Sequence, residues 1–339
     1  MSRFPISVLD QSPCSEGMTA ADAFQNTLDL ARVCDAAGFH RYWVSEHHAS
    51  PGLAGCSPEV LIGPIALTTS SIRVGSGGIM LPHYSPFKVA EAFSTIGAMA
   101  PNRIDLGIGR APGGHKLSAL ALQRDRTRKM SDEDFPKHLA ELLGYLGNGL
   151  PERHPFAILK STLPTGGGQV SPWLLGASAD SAAVAAEMGI PYCIADFINS
   201  DGISFADTYR RHFRPSHWLD TPYLMVATFK IVAESSDEAE VLAAPMRMML
   251  MHLAKGELIP VPSVEKALAW MNTNSDPLPD RRIAVGSPDR VRIELEQTRL
   301  NYGADELMLV NLMHDHSTRV RSYQLIAREF AIQQPALAA

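Results

Sequence analysis

Short apolar runs alternate with longer amphipathic segments along nearly the whole chain. Each run is rich in β-branched, aromatic or leucine residues and is bounded by glycine, proline or polar residues, which is typical of a β-strand. Eight strands are predicted in this way, at residues 6–9, 42–46, 72–81, 104–108, 173–175, 192–195, 224–233 and 306–310.

The segments between these runs carry helix signals. Thr19, with Asp22 three residues later, resembles a capping box, and Gly38 stands where a helix ends in a left-handed residue. Ser85-Pro86 indicates another helix start, because serine caps a helix and proline is tolerated in its first turn. Helices are therefore predicted to connect the strands.

The predicted strands are apolar throughout rather than alternately apolar and polar. This pattern indicates a parallel sheet whose faces are covered by helices. Because strand and helix alternate about eight times with no linker, the sequence predicts an α/β fold, a (β/α)8 TIM barrel forming a single domain over residues 1–339. The proline-rich residues 255–286 are predicted to be a loop inserted before the last strand, with a short helical piece, that acts as an active-site lid.

Composition excludes several classes of protein. The 339 residues are 45% hydrophobic and 19% charged, with a formal net charge of −6 and no dense Lys/Arg cluster, so a nucleic-acid partner is not expected. The four cysteines are far apart, which argues against a zinc finger or a disulfide framework and favours a reducing compartment. The chain shows neither a signal peptide nor a membrane span, so we expect a soluble cytoplasmic protein with no membrane partner.

Polar residues collect where the predicted strands end, which in a barrel of this kind is where functional groups lie. They are Asp10, Glu46-His47-His48, Met80 to His83, Arg110, Ser178 to Ser181 and His314-Asp315-His316. Two adjacent histidines on an extended strand end point in roughly opposite directions, so they are not expected to share a ligand. A histidine with its ordinary pKa near 6.5 could move a proton at neutral pH, although many histidines are simply structural.

Three glycines lie within the third predicted strand, at positions 75, 77 and 78. They suggest close approach of a planar group or a strained peptide, whereas a simple bulge is the more common explanation. Arg110, together with Ser178 and Ser181 at a helix start, suggests a phosphate site, because a helix N-terminus, hydroxyl groups and a guanidinium all favour an anion. An ordinary N-cap is the alternative for Ser178. No P-loop or Rossmann glycine motif stands at a strand–helix turn.

A metal-dependent barrel hydrolase is a competing hypothesis. Imidazole and carboxylate suit zinc, and such groups lie near several predicted strand ends. The candidate ligands are Asp10, His47, His83, His314 and His316. A metal site would not explain the glycines of the third predicted strand. It would also not explain the predicted phosphate-binding residues Arg110, Ser178 and Ser181.

The motifs together resemble those of the bacterial luciferase-like monooxygenases, over nearly the whole chain. Within the family the sequence is most similar to the group 1 oxidoreductases and to the member from the mensacarcin pathway, which makes an aromatic polyketide. The segments that carry the resemblance are residues 43–48, 72–82, 103–110, 173–181 and 285–288.

The resemblance implies roles for six residues. His47 corresponds to the catalytic base, and Gly77 and Gly78 to a pair joined by a non-prolyl cis peptide beneath the flavin ring. The residues on the flavin phosphate correspond to Arg110, Ser178 and Ser181. The chain departs from luciferase in having Ala177 where luciferase has glutamate and Gly109 where it has cysteine.

The resemblance also implies a reaction and its partners. A separate flavin reductase would supply reduced FMN, which would react with O2 to give a flavin C4a-hydroperoxide that oxygenates a small organic substrate, such as an aromatic polyketide in natural-product biosynthesis. A homodimer with the early helices at its interface is also implied. The alternatives are an oxidoreductase that uses the deazaflavin F420 and a catalytically silent flavin-binding protein, which would not depend on His47.

Overall fold

The computed structural model describes residues 4–111, 114, 116–123, 134–166, 168–274, 276–277, 279 and 281–332. Its strands are β1 Ile6–Asp10, β2 Arg41–Val44, β3 Arg73–Met80, β4 Ile104–Gly109, β5 Ser171–Gly176, β6 Tyr192–Ala195, β7 Leu224–Val232, β8 Ile283–Gly286 and β9 Glu306–Val310. Eight of them form a closed parallel ring in the order β1-β2-β3-β4-β5-β6-β7-β9, and β9 pairs back to β1. The predicted (β/α)8 barrel is confirmed.

The ninth strand, β8, lies outside the ring. It pairs with the carboxyl-terminal half of β7, from Phe229 to Val232. The prediction of an inserted loop over residues 255–286 is therefore wrong at its end, because a four-residue apolar run after a proline-rich stretch is too short to stand out as a strand. The predicted helical piece is present within this insertion, and lid action by the segment stays a prediction.

Helices connect the strands and cover the barrel. They are α1 Ala20–Ala37, α2 Pro58–Thr68, α3 Pro86–Met99, α4 Lys116–Leu122, α5 Asp134–Leu146, α6 Ala179–Met188, α7 Ile203–His212, α8 Ser236–Leu242, α9 Ala244–Ala254, α10 Val264–Thr273, α11 Pro288–Tyr302 and α12 His316–Glu329, with 3-10 turns at Leu81–His83 and Ala157–Thr162. The capping box of Thr19 and Asp22 is formed, and Gly38 ends α1 with φ +87°. Across the described ranges, no helix combines the length and the apolar character needed to cross a membrane.

Alternate residues of each strand face opposite sides of the barrel wall. Tyr42 and Val44 of β2 belong to the outer core between strands and helices, whereas Trp43 belongs to the inner core of the barrel. Inside, the indole of Trp43 meets that of Trp173 edge to face, with ring centroids 5.3 Å apart. Both inner and outer faces are apolar, which explains why the strands show no alternation in sequence.

Charged side chains occupy the amino-terminal end of the barrel interior. The guanidinium of Arg41 donates to Asp105 at 2.8 Å and to both carboxylate oxygens of Glu306 at 3.1 Å. Arg73 donates to the other oxygen of Asp105 at 2.6 Å, and the indole N–H of Trp43 donates to Asp105 at 3.0 Å. Burial alone would raise the pKa of the Asp105 carboxyl, but the two guanidinium groups outweigh that effect and lower it. Asp105 is therefore a buried carboxylate with both oxygens paired.

Replacing this carboxylate should destabilise the barrel strongly. Asp105→Asn removes the negative charge between Arg41 and Arg73, and loss of one partner of a buried ion pair typically costs about 3–5 kcal/mol. The control Glu91→Gln breaks an exposed pair with Lys88 and should cost less than about 1 kcal/mol. Free energies of unfolding from urea denaturation test this, and equal losses in the two variants would contradict it.

Candidate functional site

The six residues predicted to form the site line one cavity of about 540 Å³ at the carboxyl-terminal end of the barrel. They come from four consecutive strands, β2 to β5, from the turns that follow them, or from the first turn of α6. The residues are His47, Gly77, Gly78, Arg110, Ser178 and Ser181. The structure thus brings all six together, as expected when the carboxyl ends of parallel strands meet at one edge.

His47 lines this cavity and follows the end of β2. Its Nδ1 lies 2.9 Å from the hydroxyl of Ser45, and its backbone N–H donates to the carbonyl of Gly55 at 2.8 Å. Burial lowers the pKa of the His47 imidazole to about 4, and the neighbouring His48 contributes to the shift. The ordinary pKa assumed from the sequence is therefore wrong for this residue, which is a neutral hydrogen-bonding base at pH 7.

Glu46, the residue before His47, connects the end of β2 to the end of β3. Its carboxylate is fully buried and accepts the backbone N–H of Met80 at 2.9 Å and the hydroxyl of Tyr84 at 3.0 Å. The same carboxylate lies 2.7 Å from Nε2 of His48. Because Met80 ends β3, the interaction locks the end of β2 onto the end of β3. It also turns His48 toward Glu46, so the two adjacent histidines do have different partners.

The glycine-rich part of β3 is an irregular strand. Ser76 pairs with Leu106 and Ile79 with Ile108, so Gly77 and Gly78 together stand opposite Gly107. The peptide bond between Gly77 and Gly78 is cis. A Cβ at Gly78 would lie 2.7 Å from the carbonyl oxygen of Gly107, and one at Gly77 would lie 2.5 Å from Cδ1 of Leu9. Both the bulge and the unusual peptide are present. Backbone atoms leave no room for a side chain at Gly78, whereas at Gly77 the end of the Leu9 side chain would have to move.

The hydroxyl groups at the start of α6 form a connected set. Ser178 is the N-cap of the helix, and its hydroxyl accepts the backbone N–H of Ser181 at 3.3 Å. The capping role considered as the alternative for Ser178 is therefore present. The hydroxyl of Ser181 donates to the carbonyl of Ser178 at 2.8 Å and lies 2.8 Å from the hydroxyl of Tyr192. A Cβ at Gly176 would overlap the Ser181 side chain, so this glycine gives the hydroxyl its space.

Arg110 faces the same helix start from the end of β4. Its guanidinium is half-exposed and lies 3.9 Å from the exposed carboxylate of Asp180. The first turn of a ten-residue helix, two serine hydroxyls and a guanidinium are groups that favour binding of a phosphate dianion. The adjoining cavity wall is formed by small and apolar side chains, including Leu9, Ala195 and Ala227, which suit a flat aromatic ring. The donor set and the wall fit a flavin mononucleotide.

A second cavity, of about 450 Å³, adjoins the first. The two have four lining residues in common, namely Gln11, His47, Phe197 and Ile198. Beyond these, the second cavity is walled mainly by apolar residues of α9 and of the segment that follows it, including Met249, Leu253, Leu258 and Ile259. His47 therefore stands at the junction between two compartments.

The residues considered as metal ligands have other partners. Asp10 accepts the hydroxyl of Tyr42 at 2.6 Å, and His316 lies 2.9 Å from Asp29. His314 lies 3.0 Å from the carbonyl of Val261, and the ring of His83 packs edge to face against His48. Within the part of the chain that the structure describes, no three His, Cys, Asp or Glu side chains form a group able to hold a metal ion.

Sequence reasoning missed several residues of the cavities. Phe197 and Ile198 follow the end of β6, and applying the strand-end rule to that strand would have found them. Gln11 directly follows Asp10 at the end of β1 and could have been found in the same way. Tyr192 begins a buried strand, and nothing in its sequence context indicates that its hydroxyl reaches Ser181.

Comparison with known proteins identifies the family. The sequence profile of the luciferase-like monooxygenases matches residues 3–306. A luciferase-like monooxygenase of Escherichia coli K12 is 36% identical over 94% of this chain and 95% of its own, and the N-acetyl-S-alkylcysteine monooxygenase of Bacillus subtilis is 35% identical over 95% and 97%. The crystal structure of apo-MsnO8 superposes with a TM-score of 0.88 at 38% identity, covering 98% of this chain and all of that one. The resemblance in the motifs is thus confirmed, and the chain belongs to the luciferase-like monooxygenase family of flavin-dependent enzymes.

Proposed function

We propose that the protein is a two-component monooxygenase that takes reduced FMN from a separate flavin reductase and uses O2 to oxygenate a small organic substrate. The observation that carries the proposal is the pair of adjoining cavities with His47 at their junction. One cavity ends in a set of phosphate donors, and the other is mainly apolar. A cofactor in the first and a substrate in the second would meet beside a neutral imidazole.

The first cavity is assigned to the cofactor. The phosphate would be held by Arg110, Ser178, Ser181 and the N-terminus of α6, while the ring would lie over the Gly77–Gly78 segment. When bound, reduced FMN supplies the electrons and the centre at which O2 is activated. Walls that exclude water from this chemistry would favour coupling of O2 reduction to the substrate.

His47 is assigned the role of general base. Its neutral imidazole can accept a proton from the substrate or donate a hydrogen bond, depending on which ring nitrogen carries hydrogen. The hydroxyl of Ser45 at Nδ1 fixes the plane of the ring, and Glu46 fixes the backbone that presents it. The low pKa keeps the imidazole available as a base throughout the neutral range.

The substrate is assigned to the second cavity. Its volume of about 450 Å³ and its apolar walls suit a compound of drug-like size, which includes the aromatic polyketides of natural-product pathways. The Bacillus subtilis relative is named for a thioether, an N-acetyl-S-alkylcysteine, which is a second compound class with an apolar end. Both classes belong in a substrate screen.

A cytoplasmic homodimer is part of the same proposal. All four cysteines are free thiols, which suits a reducing compartment. Helix α2 is apolar on several sides and leaves Val60 and Leu67 64% and 66% exposed, with Met99 of α3 49% exposed. Such a patch on neighbouring helices is suited to an interface with a second copy of the chain.

Removing the guanidinium of Arg110 should weaken FMN selectively. Arg110→Gln is expected to lower the affinity for reduced FMN about tenfold, or ~1.4 kcal/mol, and to leave riboflavin binding unchanged because riboflavin lacks the phosphate. Arg214→Gln, which removes an equal charge from a surface pair with Glu187, is the control. Anaerobic titrations with reduced FMN, riboflavin and F420 provide the measurement. Tight binding of F420 alone would refute the FMN proposal.

Removing the imidazole of His47 should impair chemistry more than cofactor binding. His47→Gln is expected to lower substrate oxygenation about 10²–10⁴-fold and to change FMN affinity little. The exposed His212→Gln is the control. The wild-type rate should stay level from pH 8 to about pH 5 and fall only below that, as the imidazole with its pKa of about 4 takes up a proton. A rate independent of His47 would point instead to a silent flavin-binding protein.

A charge in the apolar patch of α2 should dissociate the dimer. Leu67→Glu is expected to give a monomeric mass, because a carboxylate cannot be buried without a partner. Ile293→Glu on α11, at a residue 64% exposed, is the matched control and should leave the mass unchanged. Light scattering coupled to gel filtration distinguishes the states, and a monomeric wild-type protein would refute the dimer outright.

A further inference from the structure

The second cavity contains a cationic side chain that the proposed function does not use. Arg281 lines this cavity, where most of the wall is apolar. Its Nη1 donates to the carbonyl oxygen of Phe197 at 3.1 Å, and Phe197 stands at the junction with the first cavity. The guanidinium is thereby held near the place where the two cavities meet.

No carboxylate among the described residues forms an ion pair with Arg281. Burial lowers its pKa, and no charged neighbour within the described ranges opposes that effect. Glu257 lines the same cavity, but its exposed carboxylate lies 2.6 Å from Nδ1 of His252 and not within ion-pair distance of Arg281. A desolvated guanidinium that has one carbonyl acceptor retains several unused donor N–H groups.

The next residue provides a contrast. Arg282 has its guanidinium 3.2 Å from the buried carboxylate of Asp196 and also lies over the ring of Tyr302. The positive charge of Arg282 is therefore balanced within the fold, whereas that of Arg281 faces the cavity without a counter-ion in the described chain. A half-buried charge left in this way is costly unless a ligand pairs with it.

We propose that the second cavity binds an organic anion whose carboxylate pairs with Arg281 and whose apolar body lies against Met249, Leu253, Leu258 and Ile259. A planar guanidinium can hold a carboxylate through two parallel hydrogen bonds, which would orient the substrate as well as attract it. With the acid group at Arg281, the remainder of the molecule can extend along the apolar wall or toward His47. This inference rests on the proposed function, because it assigns a substrate class to the cavity beside the cofactor.

The proposed carboxylate site at Arg281 is distinct from the proposed phosphate site in the first cavity. Arg110, Ser178 and Ser181 line the first cavity and not the second, while Arg281 lines the second and not the first. A carboxylate ligand at Arg281 and a phosphate at Arg110 can therefore be bound together. Competition between them is not expected.

The test compares acids with their amides. Phenylalkanoic acids with two to six methylene groups, and the matching primary amides, are titrated by calorimetry into the full-length protein, with and without reduced FMN under anaerobic conditions. At least one acid is expected to bind about tenfold or more tightly than its amide. Arg281→Gln should abolish that preference, and Arg281→Lys should restore part of it. Lys255→Gln is the control, because it removes an equal charge from the neighbouring surface pair with Asp276 and should leave the preference intact.

Each outcome decides the proposal. Equal binding of acids and amides, absence of acid binding across the series, or a preference that survives in Arg281→Gln would overturn it. The FMN titration of the same samples is read separately. Loss of FMN binding with an intact acid preference would refute the proposed cofactor and leave the anion site standing, whereas normal FMN binding with no acid preference would refute the anion site alone.

Discussion

A closed barrel leaves the charges at its amino-terminal end little access to water, and the structure depends on their mutual compensation. Arg41 lies between Asp105 and Glu306, with Arg73 and the indole of Trp43 completing the donors to Asp105. This cluster fills the amino-terminal end of the interior. Both cavities lie at the opposite, carboxyl-terminal end. Stability and chemistry are therefore separated along the barrel axis, as is usual for this architecture.

At the open end, the single carboxylate of Glu46 holds two strand ends together and does not balance several charges. Glu46 accepts from the N–H of Met80, from Tyr84 and from His48. These contacts join the ends of β2 and β3, so the imidazole of His47 and the Gly77–Gly78 segment are positioned by one group. The motif Glu-His-His thus combines a structural carboxylate, a neutral base and a second histidine that pairs with the carboxylate. Its roles depend on contacts from the end of β3, which is distant along the chain but adjacent in space.

Much of the fold and much of the lining of the first cavity could be predicted from the sequence. Each of the eight ring strands is a local apolar run, and strand ends such as His47 and Arg110 follow from the run itself together with one rule about parallel barrels. The remainder depends on tertiary contacts. The low pKa of His47 results from burial by other segments, the short strand β8 is defined by its pairing with β7, and Arg281 gains its significance only because the described chain brings it no carboxylate. Local sequence carries no signal of these.

The four residues common to the two cavities have a thermodynamic consequence. If occupancy of one compartment moves Gln11, His47, Phe197 or Ile198, the affinity of the other compartment changes by some factor. Linkage requires the reverse effect to be equal, so a substrate that tightens cofactor binding is itself held more tightly by the cofactor-loaded protein. The common wall would then act as the coupling element between two equilibria. If binding of one ligand raises the affinity for the other, the common wall would favour the complex that contains both cofactor and substrate over a complex with either one alone.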